Sequence, residues 1–200
     1  MFLGHYGLAF AAKRAAPRAS LGTLVLAAQL ADLAWPFLLL AGVERVETRP
    51  GTTPFLNLDF VSYPYSHSLL VQVLLGAALA IGVYTWRRRR VEACVVGLLV
   101  PSHWLLDWLV HVPDLPLYPG DPTRHGLGLW RSEPLTLALE FGMLAAGYAI
   151  YASTTRARDR VGRWASVAFV AFLVLVYAAS LAADQWQPAR VSTSTANSAP

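Results

Sequence analysis

Charged residues are scarce in this chain of 200 residues. They make up 14% of the sequence, against 56% hydrophobic residues, whereas roughly a quarter of the residues in an ordinary soluble domain are charged. One folded core of this size cannot hide so much apolar surface from water. The composition therefore excludes an ordinary soluble domain and predicts a membrane protein.

Cysteine is nearly absent, since Cys94 is the single one and lies within an apolar run. One cysteine excludes an internal disulfide framework and a cysteine-based metal site. A basic stripe is also missing: the net charge is +4, and the Lys and Arg residues form short clusters between apolar segments. Because nucleic-acid binding calls for a continuous basic face, the pattern argues against a nucleic-acid partner.

Five apolar segments are long enough to cross the hydrocarbon core of a membrane, which takes about 20 helical residues. They cover residues 21–43, 66–86, 91–112, 134–151 and 164–183. A sixth segment, 2–12, is too short to cross alone and is expected to form a half-helix or an interfacial helix. Basic residues follow this segment instead of preceding it, so we expect it to stay in the mature protein. The predicted fold is an all-α, polytopic transmembrane bundle in one domain, 1–186, followed by a disordered polar tail, 187–200.

The basic residues are divided unequally between the two sides of such a bundle. Of the 16 Lys and Arg residues, 11 lie in the turns at 13–18, 87–90 and 156–163. The positive-inside rule places these turns in the cytoplasm, and the loops 44–65 and 113–133 and the C-terminus outside. The loop 113–133 is rich in proline and glycine and long for a connection, so it is either a binding lid or a passive link.

Titratable side chains lie within several predicted spans, where they are costly unless paired or hydrated. His103 and Asp107 are one helical turn apart and share a face of the third span. A rise of about 1.5 Å per residue from the basic turns puts Asp32 and His103 near a depth of about 20 Å, and Asp107 and Glu140 near about 25 Å. The acids and histidines thus converge on one layer between mid-membrane and the outer face. His111, nearer the outer surface, is expected to be solvated.

Imidazole and carboxylate groups at this spacing are ligands that divalent transition metals accept, and a water bound to such an ion becomes a nucleophile near neutral pH. The predicted ligands are His5, Asp32, His67, His103 and Asp107. Zinc is the expected ion, with manganese or iron as alternatives. Glu140, as a general acid or base, and Asp107 are the predicted catalytic residues; a polar contact between helices and a place in a proton relay stay open for Glu140. A buried His–Asp pair can also satisfy itself by a hydrogen bond without any ion, so both interpretations stay open.

Four short motifs follow one another along the first half of the chain. They are GHYG at 4–7 with Lys13, Asp32 within ADL at 31–33, SHSL at 66–69, and SHWLLD at 102–107. In this order they resemble the LexA-binding, inner-membrane-associated hydrolase family, also called membrane-bound metal-dependent hydrolases. The resemblance implies a helical protein of a bacterial-type inner membrane, with a His/Asp metal site formed by the same five residues and a hydrolytic activity.

The predicted function is a membrane-embedded, metal-dependent hydrolase that acts on a lipid-linked or phosphoester substrate through a metal-activated water, with membrane lipids as its surroundings. Whether the protein is an enzyme stays open at this point. A proton-coupled transporter would use the same His, Asp and Glu residues along a pathway and would show pH-dependent flux without a tightly bound metal. A non-catalytic membrane scaffold would need these residues for stability alone.

Overall fold

The computed structural model is a bundle of α-helices with one small β-hairpin. It describes residues 1–157 and 159–185, without the side chains of 184 and 185, so the tail predicted at 187–200 lies outside the described residues. In chain order the elements are α1 (Leu3–Ala12), α2 (Leu21–Ala28), α3 (Leu30–Leu40), β1 (Arg45–Thr48), β2 (Leu58–Ser62), α4 (Leu69–Arg87), α5 (Arg90–Val110), a 3₁₀ turn (Leu129–Arg131), α6 (Glu133–Thr154) and α7 (Arg160–Gln185). The prediction of an all-α bundle is confirmed.

Helices α4, α5, α6 and α7 are each long and apolar enough to cross a membrane. Helices α2 and α3 add a fifth crossing if they are taken as one span, and they meet at an angle of 53°. The first predicted span is therefore bent at Gln29, whose backbone (φ −106°, ψ 10°) leaves the helical region. As a result Asp32 falls in the first turn of α3, where the positive end of the helix dipole favours a carboxylate.

The short helix α1 lies inside the bundle. Leu3, His5 and Phe10 are almost completely buried, and α1 packs mainly on α6 and also on α2 and α5. At Gly7 and Gly147 a Cβ on either residue would overlap the backbone of the other helix, and such small residues let two helices approach closely in a membrane. Of the two alternatives for this segment, the half-helix is confirmed, and it carries His5 into the middle of the bundle.

The remaining helices differ in how far they are enclosed. In α5, half of the apolar 18-residue stretch that could cross a membrane is buried inside the protein. In α4 and in α7, only 11% of the corresponding stretch is buried. Helix α4 packs closely on α5, because Gly76 faces the backbone of Gly97. Helix α5 is therefore central, and α4 and α7 turn most of their side chains outward.

The outer segments are ordered against the helix ends. Strands β1 and β2 pair in antiparallel fashion, and an ion pair of 2.7 Å joins Arg49 to Asp59 across them. In the loop 113–133, Asp114 accepts a hydrogen bond of 2.6 Å from the hydroxyl of Tyr63. Burial raises the pKa of the Tyr63 phenol, and the Asp114 carboxylate raises it further, so the phenol remains a donor at neutral pH. This bond ties the two outer loops together.

Candidate metal centre

The five side chains predicted as metal ligands meet at one place in the bundle. His5 comes from α1, Asp32 from α3, His67 from the turn before α4, and His103 and Asp107 from α5. Their ligand atoms form two overlapping groups, His5–His103–Asp107 and Asp32–His67–His103, each within 4.8 Å. Four of the five residues are buried and Asp32 is half-buried. Such a group can hold a metal ion.

Four distances connect imidazole nitrogens with carboxylate oxygens across the group. Nε2 of His103 lies 3.1 Å from Oδ2 of Asp107 and 3.5 Å from Oδ1 of Asp32. Nε2 of His67 lies 3.4 Å from Oδ1 of Asp32 and 3.7 Å from Oδ2 of Asp107. At metal–ligand distances of about 2.0–2.2 Å, neighbouring ligands of one ion lie about 3–3.6 Å apart. The four spacings lie in or close to this range, and each of the two groups of three can hold an ion.

The break between α2 and α3 orients His103. Ala28 is the last residue of α2, and the last carbonyls of a helix lack partners within it. The carbonyl of Ala28 lies 2.8 Å from Nδ1 of His103, and because a carbonyl only accepts, Nδ1 donates. In a neutral ring Nε2 would then present its lone pair. Within the described residues this buried Nε2 makes no hydrogen bond. A metal-ligating histidine is typically held in this way by its other nitrogen.

His67 is held in a similar way from the outer side. Ser66 Oγ donates to the carboxylate of Glu44 at 2.6 Å, so its lone pair accepts from Nδ1 of His67 at 2.7 Å. Glu44 also accepts hydrogen bonds from the backbone N–H groups of Tyr65 and Ser66, both at 2.9 Å. The Nε2 lone pair of His67 is therefore left to face Asp32 and Asp107.

Asp107 is shared between the two groups. Its Oδ1 accepts from the amino group of Met1 at 2.5 Å and lies 3.1 Å from Nε2 of His5. The ring of His5 stacks on that of His103, with 3.7 Å between the centroids. Nδ1 of His5 is buried and has no hydrogen-bond partner among the described residues. His5 thus approaches Asp107 beside His103.

Glu140, the predicted acid or base, fastens α1 to α6. Its two carboxylate oxygens accept hydrogen bonds from the backbone N–H groups of Phe2 and Gly4, both at 2.8 Å. A carboxylate at the start of a helix satisfies its free N–H groups and offsets its dipole. Glu140 and Asp107 line the same cavity, and the catalytic role of both stays a prediction.

Several neighbours of the site are missing from the sequence-based set. The expectation that His111 is solvated is wrong: it is 3% exposed, and its Nε2 lies 3.9 Å from Oδ1 of Asp107. The spacing of four residues from Asp107 is the signal that points to it. Nothing in the sequence points to Glu44, because the path of the outer loop brings it to Ser66.

A cavity of about 680 Å³ opens beside the group, a size common for ligand sites. Its polar wall includes Asp32, His67, Asp107 and Glu140, and most of the rest is aromatic or aliphatic. The outer hairpin and its turn contribute Thr48, Phe55, Leu56, Leu58 and Phe60, and the loop 113–133 contributes Trp130. The hairpin therefore covers more of the cavity than the loop that the sequence suggests as a lid.

No protein family, curated protein or solved structure matches this chain. The resemblance carried by the four motifs stays a prediction. The function of the protein is therefore inferred from its own residues and their geometry.

Proposed function

We propose that this protein is a metal-dependent hydrolase of the membrane, in which a bound divalent ion supplies an activated water molecule. One arrangement supports this most directly. The lone pairs of two buried imidazoles, on His67 and His103, face the carboxylates of Asp32 and Asp107 at 3.1–3.7 Å. A divalent ion among these groups would offset carboxylate charges that are costly to bury, of which Asp107 already has the amino group of Met1 as one partner.

We propose a single ion at this place. Nδ1 of His103 is committed to the carbonyl of Ala28, so His103 can ligate one ion through Nε2 and cannot serve a separate ion in each group. The proposed ligands are those predicted from the sequence: His5, Asp32, His67, His103 and Asp107. Zinc is the first expectation, with manganese and iron as alternatives, because nitrogen and carboxylate oxygen donors suit all three.

Water and substrate would reach the ion from the cavity. The side chain of Asp32 is 35% exposed and lines that cavity, and catalytic metal sites keep one position open in this way. Asp107 would hold the ion, and Glu140, which lines the same cavity, would exchange the proton with the leaving group. The substrate would be lipid-linked or a phosphoester.

The same activity is implied by the motif resemblance to the LexA-binding, inner-membrane-associated hydrolases. By that resemblance and by the division of basic residues, we propose a bacterial-type inner membrane with the turns at 13–18, 87–90 and 156–163 in the cytoplasm. The metal centre would then lie in the outer half of the membrane, near the C-terminal end of α5.

Elemental analysis of the detergent-purified chain, supplemented with zinc, manganese or iron, tests the proposed ion. We expect about one ion per chain, its loss in a folded His103→Ala variant, and its retention in the control His125→Ala, which changes a histidine of the outer loop. Hydrolysis of phosphoester or lipid substrates should then require the ion and stop with a chelator. A parent chain that binds none of the three metals would overturn the hydrolase, and pH-dependent flux in liposomes would then indicate a transporter.

A further inference from the structure

The cavity beside the metal centre has one polar end and apolar walls. The polar end is formed by Asp32, His67 and Asp107. The apolar walls come from the hairpin region, with Phe55 and Phe60, and from α7. A cavity of this kind suits an amphiphile, whose chain lies along the apolar walls while its head group reaches the polar end.

Helix α7 separates this cavity from the surrounding membrane. Tyr177, Ser180 and Leu181 line the cavity and recur at the three- and four-residue spacing of one helix face. Leu175, on the opposite face, is 69% exposed. Because α7 is long and apolar enough to cross a membrane, its exposed face would border the lipid phase, and a lipid would reach the cavity beside the helix without passing through water.

The charges at the cavity favour a head group without a negative charge. No Lys or Arg is found among the described residues that line the cavity. Its charged groups are the three carboxylates of Asp32, Asp107 and Glu140 and the one amino group of Met1. One divalent ion would bring this set to neutrality. Phosphate groups are usually held by Arg, Lys or free N–H groups at a helix start, and here the N–H groups of Phe2 and Gly4 already bond to Glu140.

We infer that the substrate is an uncharged lipid whose long-chain acyl group is joined by a carboxylic ester or amide bond. This inference rests on the proposed hydrolase and narrows its substrate. The oxygen of water adds to the acyl carbon, the bond from that carbon to oxygen or nitrogen breaks, and a proton passes to the leaving alcohol or amine. The products are a fatty acid and an uncharged alcohol, or an amine.

Photo-crosslinking of the metal-loaded chain in phosphatidylcholine vesicles tests this inference. The probes are a monoacylglycerol with a diazirine in its acyl chain and the lysophosphatidic acid with the same chain. We expect the uncharged probe to label residues 177–183 and the hairpin about tenfold more than the anionic one does, since the carboxylates at the polar end of the cavity repel a like charge. The same preparation should release fatty acid from the monoacylglycerol. Equal or stronger labelling by the anionic probe would overturn the inference.

A pair of α7 variants adds a check on the position of the chain. Ser180→Trp fills the cavity, and we expect it to lower the labelling by about tenfold or more, as overpacking does. The control Leu175→Trp makes the same change on the opposite face and should leave labelling unchanged. Unchanged labelling in Ser180→Trp would place the lipid elsewhere and contradict the inference.

Metal content measured in the same samples separates the two possible failures. A parent chain without an ion contradicts the hydrolase and, with it, this substrate. A chain that holds its ion but prefers the anionic probe, or releases phosphate from phosphoester lipids instead of fatty acid, contradicts the uncharged lipid alone.

Discussion

Helices α5 and α7 both have the length of a membrane crossing, yet they occupy different surroundings. Helix α7 is the more apolar of the two, yet only 11% of its apolar 18-residue stretch is buried in the protein. In α5, half of the corresponding stretch is buried. The reverse order holds in soluble proteins, where the more apolar elements lie inside. In a membrane, lipid surrounds apolar side chains as well as protein does, while groups such as His103 and Asp107 need partners. Polar residues therefore identify the central helix better than hydropathy does.

The largest expected effect comes from removing the buried acid of α5. Asp107→Asn keeps the shape of the side chain but removes the charge that faces four histidines and the amino group of Met1. We expect the ion to be lost and the free energy of unfolding to fall by about 3–5 kcal/mol, as when one partner leaves a buried ion pair. Elemental analysis and thermal unfolding in detergent measure both effects. Glu47→Gln, at an exposed acid of β1, is the control and should keep the ion; an ion retained in Asp107→Asn would remove Asp107 from the ligand set.

A smaller effect on metal binding is expected when the hydrogen bond that orients His67 is removed. The two serines that flank His67 provide a matched pair of variants. Ser66→Ala removes the hydroxyl that connects His67 to Glu44, and loss of such a support typically weakens metal affinity about 10- to 100-fold. Ser68→Ala removes a buried hydroxyl that has no partner among the described residues, so the affinity should stay the same. Competition with a zinc-binding dye measures both constants. Equal affinities in the two variants would show that Ser66 does not orient His67.

The position of α1 can be tested at two glycines of α6. Gly147→Ala introduces a methyl group that overlaps the backbone of Gly7, so we expect a loss of about 1–3 kcal/mol in stability, as overpacking usually costs, together with weaker metal binding because α1 carries His5. Gly142→Ala places the same methyl group in open space and should not destabilise the helix. Thermal unfolding of the two variants with and without metal compares them. The model of a tightly docked α1 would be wrong if Gly147→Ala behaved like Gly142→Ala.

The smallest effect is expected on the exposed faces. Leu175→Ala in α7 and Leu98→Ala in α5 remove side chains that are 69% and 68% exposed. Both should change stability by less than about 0.5 kcal/mol, as substitutions away from packed features usually do. Unfolding in detergent measures the pair. A clear loss of stability in only one of the two variants would contradict this expectation. It would show that the exposed face of that helix packs against a partner.

The sequence predicts the helices and the depth of the acids and histidines because both depend on local properties. Apolar length gives the spans, and a constant rise per residue places Asp32, His103 and Asp107 at similar depths in neighbouring helices. The structure brings these residues together with His5 and His67.

The sequence does not predict the contacts that depend on the path of the chain between the helices. The bend at Gln29 has no glycine or proline at that position, and Pro36 lies seven residues further along, so the apolar run looks like one straight span. The hairpin, the contact of Glu44 with Ser66 and the burial of His111 follow from how the outer loops fold back. Local patterns do not encode such long-range contacts, so the sequence predicts a solvated His111, whereas the structure buries it.

The docking of α1 on α6 also has a consequence for synthesis. Helix α1 is synthesised before the other described helices, but the residues that hold it are far along the chain: His5 and Asp107 are 102 residues apart, and Gly4 and Glu140 are 136 apart. Because α1 is too short to cross the membrane by itself and packs on α5 and α6, we expect it to reach its final position only after these two helices have been made. The proposed metal site would therefore be completed late: a nascent chain halted before α6 would contain all five proposed ligands but would lack the helix on which α1, with His5, packs.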